Sequence, residues 1–370
     1  MSLISFNWNN KLLFIIIQSI IIFICKLKPE FNIFDEKNNL IENIYNRHLS
    51  NSFYIFCILF YLISNIQNNN KSYINYYREK NSLIIESKKK TPKNYFSIIN
   101  FLILIVILIF LNLFDIFCIF LRKKIKVKEF DYNLEGFLFL IVILFSYFLL
   151  KIQIYKHQIF SIIISVFCSI IFLILKVEIK SLIYTIFDFI NLGLKITLFK
   201  FLMIHFFFSP YLILFFEGII SFFICFSIEI YNLIFKKEIL TLIFIEKKYF
   251  YFVFLFNFII AILNIIIIYY FSPIFEILAY ILFSIIFEIK NFISDKNESK
   301  TNLILHIFYL ICCLIITEIV VLNFWGLNKN TVFNINKRIR EEEFDLFKNE
   351  TGISFSLFKE ENKENNKNEE

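Results

Sequence analysis

The stretch DFINLGLKITLFKFLMIHFFFSPYLILFFEG, residues 188–218, decides how the rest of the chain is read. Asp188, Lys195, Lys200, His205 and Glu217 are set there among Phe, Ile and Leu. Apolar runs of this length are what a membrane-crossing helix requires. An ionisable group inside one is expensive, roughly 2.5–3.5 kcal/mol at the bilayer centre on insertion scales, so it normally faces a partner, a cavity or a substrate path. Ser209 and Pro210 divide the stretch: Ser suits a helix N-cap, and Pro suits the first turn, where no N–H partner is needed. Two consecutive spans are predicted, Leu182–Phe208 and then Ser209 to Phe235.

The same pattern extends in both directions. Of the 370 residues 58% are hydrophobic, above the roughly 45–50% apolar content of soluble domains. The excess is gathered into long runs between short charged islands. Before the central stretch these runs are Leu12–Cys25, Leu49–Ile66, Phe96–Leu121, Gly136–Leu150 and Ile159–Leu175. After it come Tyr249–Phe271, then Ser272-Pro273 to Lys290, and Leu303–Leu322. Leu12–Cys25 has a secretory signal peptide as its rival reading, but Lys26-Leu27-Lys28-Pro29 offers no small-residue cleavage site, so a retained helix is favoured. The expectation is an all-α, polytopic membrane protein of about ten transmembrane helices. Residues 1–180 would form one half, 181–322 a second, and 323–370 a charged, partly disordered tail. The tail becomes almost wholly Glu, Lys and Asn from Lys359, a composition too polar to bury.

The net charge of +7 does not point to nucleic acid. The basic residues lie in loops between apolar runs, where lipid headgroups are the natural partner, and no zinc-finger, RNP or basic-zipper pattern occurs. Cys25, Cys57, Cys118, Cys168, Cys225, Cys312 and Cys313 all fall within or at the edges of apolar runs, with no CxxC pair, and read as small hydrophobes. His48, His157, His205 and His306 are dispersed, so no metal is expected. There is no GxxxxGK[ST] loop and no GxSxG element, so neither an ATP-driven pump nor a hydrolase is expected, and no cofactor is implied. Lys and Arg divide too evenly between the two sides to orient the chain. Asn70, Asn297 and Asn349 head glycosylation sequons; with cytoplasmic termini only Asn297 faces the lumen.

Candidate binding residues follow from helical spacing. Asp188, Asn191 and Lys195 share one face of the sixth span. They read either as a cavity lining, with Lys195 meeting an anionic substrate, or as an internal Asp188–Lys195 pair. Lys200 lies on another face and is expected to reach toward the interface, as is His205. Glu217, Ser221 and Cys225 recur every four residues on the seventh span, either lining a cavity or bonding between helices. Asn257 and Asn264 flank Ala261 on one seam of the eighth, a placement that suits helix pairing as well as binding. Glu276, Tyr280, Ser284 and Glu288 form the longest polar stripe. Glu276 sits where the helix dipole alone favours a carboxylate, so Tyr280 is the better substrate contact. His306, Cys313 and Thr317 share a face of the tenth span. The expected binding set is Asp188, Asn191, Lys195, Glu217, Asn257, Asn264, Glu276 and Tyr280.

Several segments of the second half resemble the drug/metabolite transporter superfamily, which includes nucleotide-sugar carriers. KFLM at 200–203, SPY at 209–211 and FEG at 216–218 look like the junction of the sixth and seventh helices in a protist branch of that superfamily. EIVVLNFWGLNKNT at 318–331, followed by RIR at 338–340, looks like the end of its tenth helix. The likeness covers roughly residues 181–343; the first half agrees by helix count. It implies two inverted five-helix halves around a central cavity, cytoplasmic termini, alternating access without covalent chemistry, and residence in an endomembrane or the plasma membrane. The resulting expectation is a secondary transporter of a small, anionic organic solute, and no enzyme. The alternative is a polytopic scaffold or receptor-like protein whose working part is the tail.

Overall fold

The computed structural model describes residues 4–6, 16, 19–20, 40–68, 98–125, 135–152, 154–176, 179–235, 250–294 and 299–322, together with 331, 334, 335 and 338. Most of the first expected span, the three sequons and the charged tail lie outside the described residues.

The described fold is all-α. In chain order its helices are α1 (Leu40–Ser52), α2 (Cys57–Asn68), α3 (Ile98–Ile125), α4 (Glu135–Leu150) and α5 (Lys156–Lys176). They continue with α6 (Ile179–His205), α7 (Pro210–Phe235), α8 (Phe250–Tyr270), α9 (Pro273–Ser294) and α10 (Ser299–Ile316). Helices α3 to α10 therefore fall on the third to tenth expected spans. A short antiparallel pair joins β1 (Ile4–Phe6) to β2 (Val320–Leu322), with Ser5 opposite Val321.

Two boundaries differ from expectation. The tenth helix stops at Ile316, not Leu322: Glu318 takes a positive φ of 58°, and the β-branched pair Val320–Val321 enters the strand. The second span begins nine residues early. Helix α1 is polar, so hydropathy placed it in a loop, yet Asn43, Asn46, His48, Ser50, Asn51 and Ser52 are all buried. A 3-10 turn, Phe53–Phe56, joins α1 to α2.

Prolines place two helix starts as expected. Pro210 opens α7 and Pro273 opens α9. The amides of Leu212 and Ile213 bond the carbonyl of Ser209, at 3.1 Å each. The cap at α7 is thus made by the Ser209 backbone, while its Oγ has no hydrogen-bond partner.

Packing forms two cores that share α6. One is built on Leu138, Phe139, Val142, Ile277, Ile281, Tyr309 and Cys312, from α4, α9 and α10, with α5 against them. The other is built on Tyr54, Leu104, Leu108, Leu202, Ile213 and Ile268, from the 3-10 turn, α3, α6, α7 and α8. Helix α1 and the turn lie along α7, α4 lies on α9, and α5 lies on α10. Gly218 permits the closest of these approaches: a Cβ there would stand 2.6 Å from Ile55 N and 2.9 Å from Tyr54 C.

The outside is apolar as well. Leu102, Val106, Ile109, Leu113, Phe117 and Phe120 run down the exposed face of α3 at steps of three and four, and Ile159, Ile163, Phe167 and Ile170 do so on α5. Water does not favour such stripes. Two helical segments among the described residues, Ile98–Lys124 and Pro210–Phe235, are long and apolar enough to cross a membrane. Shorter apolar helices are Phe137–Leu150, Gln158–Ile171, Phe254–Tyr270 and Leu303–Ile316.

Candidate functional site

The central stretch contributes to a closed circuit of polar side chains drawn from α1, α3, α6 and α7. Arg47 Nε meets Asp115 Oδ2 at 3.3 Å. Asn191 Nδ2 donates to the other oxygen, Asp115 Oδ1, at 3.2 Å. One turn further along α6, Lys195 Nζ forms an ion pair with Glu217 Oε1. One turn beyond Glu217 on α7, Ser221 Oγ donates to Asn112 Oδ1 at 3.3 Å and touches His48 Nδ1 at 3.5 Å. Asn112 lies one turn from Asp115 on α3, and His48 follows Arg47 on α1, which closes the ring.

Helical spacing explains how so few residues reach one another. Pairs four apart on α6 (Asn191, Lys195) and α7 (Glu217, Ser221), and three apart on α3 (Asn112, Asp115), stack along one face of each helix. The position is central: Lys195 lies ten residues before His205, about 15 Å along the axis at 1.5 Å per residue.

The hydrogen bonds also fix which atoms donate. Asn112 Nδ2 donates to Leu108 O at 2.8 Å, so its oxygen faces Ser221. Ser221 Oγ donates to that oxygen, and the Asn191 amide donates to Asp115. His48 Nε2, Asn191 Oδ1 and Glu217 Oε2 have no hydrogen-bond partner, although their residues are 0%, 6% and 3% exposed. The cations are the accessible members. The Arg47 side chain is 39% exposed and that of Lys195 28%, against 17% for Asp115.

The expected site residues are distributed as follows. Asn191, Lys195 and Glu217 belong to the ring. Lys195 pairs with Glu217, and Asp188 lies within electrostatic range of Arg47, Tyr184 and Cys118. Asn257 Nδ2 donates to Ser50 Oγ at 3.2 Å, tying α8 to α1. Asn264 Nδ2 donates to Tyr280 Oη at 3.3 Å, tying α8 to α9. Tyr54, in the 3-10 turn, lies within electrostatic range of Glu217, Arg47 and Tyr280. Glu276 is buried in the first turn of α9. Lys200 does not reach the interface: it is 8% exposed and donates to Tyr269 O at 2.8 Å. His205 is exposed, as expected of an interface residue.

Sequence reasoning missed Arg47 and His48, because the first nine residues of α1 look like a loop, and did not single out Ser50 within the expected second span. One signal was available. Asp115, Asp188, Glu217 and Glu229 outnumber Lys195 and Lys200 within the apolar runs between Phe96 and Phe235. Anions in such runs require cations, so a buried cation was owed from elsewhere in the chain.

No protein-family model, curated protein or solved structure matches the chain. Among the described residues no three of His, Cys, Asp and Glu are grouped to hold a metal ion.

Proposed function

We propose that the chain is a multi-pass membrane carrier that moves a small organic solute by alternating access, with its binding site at the ring of Arg47, Asp115, Asn191, Lys195 and Glu217. The architecture proposed is the one the superfamily resemblance implies: ten spans in two inverted halves, residues 1–180 and 181–322, followed by a cytoplasmic tail at 323–370, in an endomembrane or the plasma membrane.

The observation that carries the proposal is the exposure of Arg47. Its side chain keeps 39% of its surface accessible while bonded to Asp115 between helices. Within a bundle whose outer faces are apolar, a cationic side chain with that much open surface is better placed beside water than beside lipid. A water-lined polar site near mid-depth between helices is where secondary carriers bind substrate.

Packing supports the two-half architecture. The second span (α1–α2) lies on the seventh, the fourth on the ninth and the fifth on the tenth. Each pair is offset by five. The third span also touches the seventh, and the eighth touches the second, as a two-fold relation between halves requires.

Lys195 and Arg47 would meet the acidic group of the solute, exchanging their protein carboxylates for it as the site opens to either side. The test is uptake into proteoliposomes of labelled nucleotide sugars, amino acids and organic anions by the full chain. Lys195→Ala is expected to abolish uptake of whichever solute is carried. Uptake of none of them by the wild-type chain overturns the proposal.

A further inference from the structure

The ring is bordered by two unlike halves of the bundle. Away from the α6–α7 joint, α3 and α6 pack with their polar residues in antiparallel register. Asn191 meets Asp115 at 3.2 Å, and further along Cys118 Sγ donates to Phe187 O at 3.7 Å. Tyr184 then lies within electrostatic range of Asp188 and Arg122. Asp115, Cys118 and Arg122 are three and four apart on α3, and Asn191, Asp188 and Tyr184 are three and four apart on α6, so each set shares one face. From Asp115 to Arg122 the stripe covers about 10 Å of helix axis at 1.5 Å per residue.

The stripe keeps open surface. The side chains of Arg47, Lys195 and Asp115 are 39%, 28% and 17% exposed, and Asp188 and Arg122 are half-buried. Charged groups with open surface at membrane depth are better placed beside water than beside lipid. Toward the α6–α7 joint the lining changes. Phe199, Leu202, Met203, Phe208, Leu212 and Ile213 are each at most 5% exposed and belong to one apolar core with α3 and α8. Lys200, in this half, is buried and donates to Tyr269 O and Phe271 O at the end of α8. An apolar constriction shuts out water and ions.

Resting on the carrier reading above, we infer that the ring is open here toward the Arg122 end of α3 and shut toward the α6–α7 joint: solute enters along the α3–α6 seam past Asp188, and the cluster around Leu202 is the gate that parts when the site turns to the other side. Helices α7 to α10 make four crossings between the joint and the tail, so the tail lies on the shut side. With the tail cytoplasmic, solute is taken from the lumen or the cell exterior.

The wild-type chain carries its own reporters. Lys124 lies at the open end of α3 and Lys151 just beyond α4, on the other side, and both are exposed. Sealed proteoliposomes holding the full chain are sorted by whether a C-terminal tag faces out. They are then treated with a sulfonated acetylating ester that does not cross lipid, and acetylated lysines are read by peptide mass spectrometry. Lys195 is expected to react about tenfold or more faster in vesicles where Lys124 reacts than in those where Lys151 reacts, since a shut gate excludes a charged reagent. Asp188→Cys, treated with a charged methanethiosulfonate, is expected to label above the wild-type thiols with the same sidedness. The thiol reads the route where the ion pair with Glu217 slows the Lys195 amine, and the Lys195 reading needs no variant to fold.

Equal or faster reaction of either group from the Lys151 side overturns the inference. So does the absence of reaction at both Lys195 and the Asp188→Cys thiol, which places the seam away from water. The two readings fail separately. Reaction at Lys195 from the Lys124 side alone, with no solute accumulating in proteoliposomes, keeps the one-sided cleft and removes the carrier. Uptake by a chain whose Lys195 reacts from the Lys151 side keeps the carrier and reverses the gate.

Discussion

The α5–α10 seam and the α1–α7 seam each join helices distant in sequence, and they are held by opposite means. Between α5 and α10 every bridging group is neutral. Ser161 Oγ donates to Cys312 O at 2.6 Å, Ser169 Oγ and Tyr309 Oη lie 3.1 Å apart, and Gln158 Nε2 donates to Ile316 O at 3.3 Å. Short hydroxyls and fully buried thiols let the backbones come close and bond directly, as is usual where helices pair without a hydrophobic driving force. Between α1 and α7 Cys225 Sγ donates to Tyr45 O at 3.6 Å and Ser221 meets His48 at 3.5 Å, but the seam's charged groups bond sideways into ion pairs from α3 and α6, and acceptors are left open. Each seam leaves a buried oxygen open: on α5 it is a neutral hydroxyl, Ser165 Oγ, and on α7 it is a carboxylate oxygen, Glu217 Oε2.

The largest expected effect breaks the second seam. Arg47→Leu strands the Asp115 carboxylate, which is 17% exposed; because the Arg47 side chain is itself 39% exposed, the loss is expected at the lower end of the about 3–5 kcal/mol that removing one partner of a buried pair costs. Thermal unfolding in detergent should show a loss of that order. The double variant Arg47→Leu/Asp115→Leu should recover most of it, since neither charge then remains unpaired. A single variant as stable as the wild type would mean that the pair is solvated and that the contrast between the seams is not one of burial.

Next in size is Gly218→Ala. The added methyl would meet Ile55 N at 2.6 Å and Tyr54 C at 2.9 Å. These are backbone atoms, which cannot rotate away, so overpacking of about 1–3 kcal/mol is expected. Because the 3-10 turn places Tyr54 near Glu217, solute affinity should fall along with melting temperature. Gly193→Ala, which meets the Ile141 side chain at 2.8 Å, should be milder, because a side chain can move.

How much of this was legible in the sequence follows from the physics of each seam. The spans from Phe96 onward were readable because hydropathy and Ser-Pro starts are local signals, and α3 to α10 fall where they were expected. Lys195 and Glu217 stood out as charges in apolar runs, but their pairing did not, because it depends on how α6 turns against α7. Helix α1 was legible only in its last turn. Its buried face is polar, so the rule that buries apolar residues pointed the wrong way before Leu49, and Arg47 and His48 were lost with it. Lys200 was misplaced for a related reason: the carbonyl of Tyr269 that receives it is brought near only by the fold.

A smaller effect probes the first seam. Ser161→Ala removes the 2.6 Å bond to Cys312 O, and one such bond contributes about 1 kcal/mol net. Stability should fall by that amount while solute binding and uptake stay unchanged. A loss of uptake without a loss of stability would show that α5 and α10 move during transport rather than standing as scaffold.

The smallest expected effect decides where the boundary between the seams lies. Tyr280→Phe removes the hydroxyl that accepts from Asn264 at 3.3 Å. Hydrogen bonds between membrane helices average about 0.6 kcal/mol in double-mutant cycles, so the melting temperature should barely move. Tyr280 lies within electrostatic range of Tyr54, which in turn is within range of Glu217. If α8 and α9 border the same site, the KM for uptake should rise severalfold even though the fold is nearly unaffected. Melting that shifts with no change in KM would assign the Asn264–Tyr280 bond to helix pairing alone. The polar stripe of α9 would then belong with Ser161 and Tyr309, and the site would be bounded by α1, α3, α6 and α7.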